Sequence, residues 1–137
     1  MLLSVAVVAG VAIIALTVAI TAMQYASLPE RVPIHLSIDG TPDGYGPRPM
    51  IWFIVGTQVF CIVLFVLSGM AIAGHAPGTH GSLAGLPVFA VCILALLWRG
   101  QVQLLAAAKS ATPVPMLGLW VFLAASLAIG ILALSVL

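Results

Sequence analysis

Glu30, His35, Asp39 and Asp43 form the only concentration of carboxylate and imidazole in this chain of 137 residues. His35, Asp39 and Asp43 recur at intervals of four, which on a helix would place them on one face. Three such side chains converging on a point are the minimum for a divalent cation, so they are the candidate metal ligands. Their surroundings argue for a plainer role. Pro29, Pro33, Pro42, Pro47 and Pro49, with Gly40, Gly44 and Gly46, forbid a continuous helix through the segment. Asp39-Gly40 and Asp43-Gly44 are turn dipeptides whose carboxylates accept hydrogen bonds from their own turns. On this reading His35 anchors the segment to whatever lies beneath, and no ligand spacing of a recognised metal site is present.

Arg31 stands beside Glu30 and within reach of Asp39 or Asp43 in a folded loop, so its planar fork is expected to close an internal ion pair. Arg48 completes the charged set of residues 24–50, which hold all three acidic and two of the four basic residues. From Arg31 to Ile38 apolar residues fall on every second position, Val32, Ile34, Leu36 and Ile38. This period predicts a short extended segment laid apolar side down. Five prolines and paired turn signals make the whole segment an ordered cap rather than a tether.

The elements that must carry this cap are hydrocarbon. The chain is 64% hydrophobic and 5% charged, against about 25% charged in soluble domains. Four apolar stretches, residues 2–23, 51–73, 83–108 and 116–137, each match the roughly 20 residues that cross a bilayer core. The expected fold is all-α, a four-helix transmembrane bundle forming a single domain over 1–137, with an ordered Pro/Gly-rich loop between helices 1 and 2. No Lys or Arg precedes Arg31, so the first stretch reads as a retained span rather than a signal peptide.

Antiparallel spans put all seven charged residues on one face, with Arg99 and Lys109 joining the cap residues. The positive-inside rule then makes that face cytoplasmic. Trp52, Phe53, Trp98 and Trp120 fall near the same face, as an interfacial aromatic belt would. Arg99 lies roughly 13 Å below the expected end of its helix at 1.5 Å per residue, and Gln58 sits seven residues into its own span. Similar depths suggest a polar pocket under the cap that includes Arg99, with Gln101 and Gln103 nearby. The competing reading of Arg99 is a side chain that snorkels to the headgroups. Cys61 and Cys92 read as packed apolar residues, and His75 and His80 as residues of a glycine-rich turn.

The stretch Leu28-Pro29-Glu30-Arg31-Val32-Pro33-Ile34-His35, followed by Asp39-Gly40, Pro42-Asp43-Gly44 and Gly46, resembles the bacterial membrane domain of unknown function found in SdpI-type immunity proteins. The resemblance covers roughly residues 10–70. It implies a multi-pass protein of the bacterial cytoplasmic (inner) membrane. In that family such proteins protect against a secreted toxin or hold a regulator at the membrane. The function expected is therefore non-enzymatic: binding of a peptide, lipid or protein partner through the 24–50 loop, with Glu30, Arg31, His35, Asp39, Asp43, Arg48, Gln58 and Arg99 binding the partner or structuring the loop. The alternative is an accessory subunit of a larger membrane complex, which the small size and scarcity of polar residues favour. A metal-dependent site on His35, Asp39 and Asp43 is the third. No cofactor is expected, and a net charge of +1 offers no surface for nucleic acid.

Overall fold

A computed structural model describes residues 2–75, 85–110 and 113–135. Helix α1 (Leu2–Tyr25) is followed by an antiparallel hairpin of β1 (Arg31–Leu36) and β2 (Pro42–Pro47), then by a short 3-10 helix (Arg48–Trp52) that runs into α2 (Phe53–His75). Helices α3 (Gly85–Lys109) and α4 (Leu117–Ser135) complete the chain. His80 and the connection 76–84 lie outside the described residues.

The helices are apolar on all sides, which is the pattern of a segment surrounded by lipid. Three of them, over Ser4–Tyr25, Arg48–Ala71 and Leu86–Lys109, are long and apolar enough to cross a membrane. The apolar part of α4 described, Leu117–Ile129, is shorter. The protein is thus a multi-pass membrane protein, all-α in its membrane layer. Helix α3 is the centre of the layer, packing against α1, α2 and α4, while α4 packs chiefly on α3. Where α1, α2 and α3 meet, Gly10 allows close packing: a Cβ there would stand 2.8 Å from Ile62 Cδ1 and 2.9 Å from Leu94 Cδ1, so both side-chain ends would have to shift.

Proline and backbone capping set the ends. After α1 the chain turns through Ser27 N–H to the Gln24 carbonyl (3.0 Å) and Leu28 N–H to the Tyr25 carbonyl (3.2 Å), just before Pro29. Pro49 lies in the first turn of the 3-10 helix, where its missing N–H costs nothing. Pro113 and Pro115 precede α4, whose first bonds run from Leu119 and Trp120 N–H to the Met116 carbonyl at 2.9 and 3.0 Å.

The expected loop is a two-stranded sheet. Its register pairs Arg31 with Pro47, Val32 with Gly46, Pro33 with Tyr45, His35 with Gly44 and Leu36 with Pro42. Ile34 and Asp43 are therefore each an extra, unpaired residue in their strand, the mark of a bulge. The irregularity corrects the apolar-side-down expectation. Val32 is fully buried, but Ile34 is 41% and Ile38 80% exposed. Only the first turn of β1 inserts into the protein, where Val32 joins Leu28, Ile51 and Leu105 in a buried cluster flanked by Ile20, Tyr25, Trp52, Leu104 and Ala108. That cluster cements the foot of the hairpin to α1, the 3-10 helix and α3 at the edge of the membrane layer.

Candidate functional site

The hairpin tip is built from side chains that hold one another. Asp43, freed from pairing by its bulge, places Oδ1 2.5 Å from His35 Nδ1 and accepts from Ser37 Oγ at 2.7 Å through Oδ2. Its pKa is lowered below the ordinary carboxylate value, first by the Ser37 hydroxyl and then by the His35 ring. Asp39 serves its own turn: Oδ1 accepts from Thr41 N–H at 3.0 Å and from the Thr41 hydroxyl at 2.7 Å. The Thr41 hydroxyl and N–H lower its pKa as well, in that order. His35, Asp39 and Asp43 thus belong to two separate arrangements. Among the described residues, no three His, Cys, Asp or Glu side chains are grouped to hold a metal ion.

The tip is also clamped to the next connection. Gly40, at φ +84°, accepts from Val114 N–H at 3.1 Å through its carbonyl. A Cβ on Gly40 would lie only 2.0 Å from the Val114 carbonyl oxygen. Gly40 therefore answers both a left-handed backbone and a close approach that no other residue satisfies. Gln103, buried at the end of α3, steadies the same connection by donating from Nε2 to the Pro115 carbonyl at 3.0 Å. The cap and the α3–α4 connection share one face of the helix layer.

The basic residues do not pair as their spacing suggests. The exposed Arg31 reaches across the hairpin to the Tyr45 carbonyl at 3.5 Å, and among the described residues it closes no ion pair with Glu30, Asp39 or Asp43. The carboxylate expected for Arg31 is taken by His35. Arg48 is the better anchored of the two. Its guanidinium lies over the Tyr25 ring, 5.2 Å from the centroid, and Nη1 donates to the Leu28 carbonyl at 3.4 Å. Its N–H donates to the carbonyl of the exposed Glu30 at 2.8 Å. The end of α1 and the start of the 3-10 helix are joined by these contacts.

Beneath the cap, polar side chains of the membrane layer converge. Gln101 is 1% exposed and its Nε2 donates to Thr21 Oγ1 at 2.9 Å on α1 and to the Ile51 carbonyl at 3.0 Å in the 3-10 helix. Gln58, fully buried on α2, donates to the Leu94 carbonyl at 3.2 Å. The two bonds fix the antiparallel register of α2 on α3, Ile51 beside Gln101 and Gln58 beside Leu94. Gln58 consequently sits deeper than Arg99, which is five residues from Leu94 along α3. Arg99 turns to α4 instead, with Nη2 3.0 Å from where a Cβ on Gly118 would be. The expected pocket of Gln58 and Arg99 is two environments.

Thr17 and Thr21 are buried polar positions that charge and metal-ligand arguments pass over. A search for uncharged polar residues inside apolar stretches finds them, since Thr17 and Thr21 are one turn apart on α1 and both fully buried. Beside the hairpin foot, Pro33, Ile34, Met50, Ile51, Phe53, Ile54 and Leu104 line an apolar groove of about 180 Å³.

The family described as "Domain of unknown function (DUF1648)" matches residues 12–59, and along that stretch the chain is similar to it. The matched residues run from the middle of α1 through the hairpin to the first turns of α2. No curated protein and no solved structure matches the chain.

Proposed function

We propose that this is a non-catalytic protein of the bacterial cytoplasmic membrane that recognises a peptide at the membrane surface through its cap, as the resemblance to SdpI-type immunity proteins implies. The observation that carries this reading is the way the hairpin is mounted. Its foot is cemented by Val32, Leu28, Ile51 and Leu105, and its tip is clamped by Gly40 to Val114. β1 packs on α3 and the 3-10 helix, whereas β2 packs chiefly on β1. A rigid ribbon is thus presented with one strand edge turned from the helices, and such an edge accepts an extended peptide by backbone pairing. Exposed Tyr45 beside Asp43 and Arg31 supplies apolar and charged contacts to select one. The family match centred on the cap agrees that this is the segment a relative shares.

The test is genetic and chemical. Deletion of the gene should sensitise the cell to a membrane-active peptide that crosses to the cytoplasmic face bearing the cap, and a photo-crosslinker at Tyr45 should trap that peptide, whereas one at Val121 on α4 should not. Unchanged sensitivity, with lipid as the sole adduct at Tyr45, would reject the reading.

One observation favours the accessory-subunit alternative. Ala12, Ala15, Ala19 and Ala22 lie exposed at spacings of three and four along α1, a seam of small residues on which another membrane helix could approach closely. Recovery of a stoichiometric larger protein in mild detergent, lost on Ala15→Leu with Ala19→Leu, would select it over peptide recognition.

A further inference from the structure

We propose that ordered water occupies a notch inside the helix layer, bridging Gln58, Trp98 and Gln101 between α2 and α3. Leu94, Trp98, Gln101 and Leu105 follow one another at spacings of four, three and four, so they share one face of α3. Gln58 and Gln101 both donate to protein acceptors through Nε2. Backbone carbonyls accept only from the nitrogen end of a carboxamide, which fixes which way each amide is turned. The Oε1 atoms of Gln58 and Gln101 are then buried acceptors that no protein donor meets, and Trp98 Nε1 is a buried donor that no protein acceptor meets.

Polar atoms in hydrocarbon that go unanswered are costly, and lipid chains have nothing with which to answer them. Two acceptors and one donor are the complement of water, which donates twice and accepts. The order along α3 agrees: Trp98 is four residues beyond Leu94, where Gln58 bonds, and three before Gln101, so its indole comes from between the two carboxamides on the same face. Apolar side chains lie on either side of these groups: the buried Ile51, Leu105, Leu28 and Val32 toward the cap, and Ile62 and Leu94 close against Gly10 toward the membrane centre. Water held there is structural, tying the three helices and the foot of the cap together, and it leads nowhere across the bilayer.

Water-edited solid-state NMR on protein in lipid bilayers tests this. Short mixing should carry magnetisation from water to the Trp98 indole N–H and to the Gln58 and Gln101 side-chain amides, but not to the methyl groups of Leu94 and Ile62. Trp98→Phe, which keeps an aromatic ring but removes the indole N–H, should reduce the transfer to Gln58 severalfold while the helix signals stay in place. No transfer to Trp98 and Gln58, or equal transfer to Leu94 and Ile62, overturns the proposal.

Discussion

In the hairpin tip Asp43 binds His35 and Ser37 with the His35 side chain 71% and the Asp43 side chain 45% exposed. Under the cap Gln101 binds Thr21 and the Ile51 carbonyl while 1% exposed. The first set carries the charges, and the second carries none. Yet bulk water competes for every bond in the tip and has no access to the buried bonds of Gln101, so the neutral network holds the structure harder. Formal charge is therefore a guide to where the protein meets water, and burial a guide to what keeps it folded.

Substitutions that remove a buried tie should consequently exceed any that remove an exposed charge. The largest effect is expected at Gly40, where Ala combines a disfavoured φ with a collision against the Val114 carbonyl. Gly40→Ala should cost about 3 kcal/mol or more, read as a lowered Tm and a smaller folded fraction in detergent. A wild-type Tm would mean that the tip is not clamped. Next comes Gln101→Leu, which removes the buried bonds to Thr21 Oγ1 and the Ile51 carbonyl that tie α1 and the 3-10 helix to α3, at about 1–3 kcal/mol. Its signature is local: faster hydrogen exchange from Arg48 to Trp52, with α4 unchanged. Arg48→Ala should follow at about 1 kcal/mol, losing the stacking on Tyr25, and should exceed Arg31→Ala. Equal effects of the two arginine variants would erase the distinction drawn between a ring-stacked and an exposed guanidinium.

Much of the layer arrangement was legible before any coordinates, because lipid imposes a length. Each helix begins and ends within two residues of an apolar stretch in the sequence, as Leu2–Tyr25 against 2–23 and Gly85–Lys109 against 83–108 show. β1 was visible in its alternation, but β2 was not. Pro42-Asp43-Gly44-Tyr45-Gly46-Pro47 is written in turn residues and becomes a strand only because β1 supplies a partner. Its glycines leave room for neighbouring side chains: a Cβ on Gly46 would meet Met50 Sδ at 2.6 Å and Ile34 Cγ2 at 3.2 Å, and one on Gly44 would meet His35 Cβ at 3.1 Å. Around the site, the turn-serving role of Asp39 followed from Asp-Gly, whereas the choice of His35 rather than Arg31 for Asp43 depended on two bulges that no periodicity announces. The carboxamides are legible as polar residues inside apolar spans, but their partners are not: Gln101 and Thr21 are 80 positions apart in the chain, and only the packing of α1 on α3 brings them together.

The smallest expected effect is the one that separates the two regions most cleanly. Asp43 has its pKa lowered from an ordinary 3.8, so its folded form favours the carboxylate. A group with a depressed folded pKa adds stability at all pH values above the ordinary one and loses it as the pH falls toward the folded value. The hairpin tip should therefore stay intact from neutral pH down to about 3.8. Below that pH it should loosen, as the bonds from Ser37 and His35 give way. Asp39 titrates in the same direction against Thr41, so Asp43→Asn distinguishes the two: amide shifts at Ser37 and Gly44 should lose their acid dependence while those at Thr41 keep it. Helix content should not change over this range, because Gln58, Gln101, Thr17 and Thr21 do not ionise. Cooperative loss of helix on protonation, abolished by Asp43→Asn, would show instead that the exposed carboxylate governs the bundle, and the ordering of every larger effect above would have to be reversed.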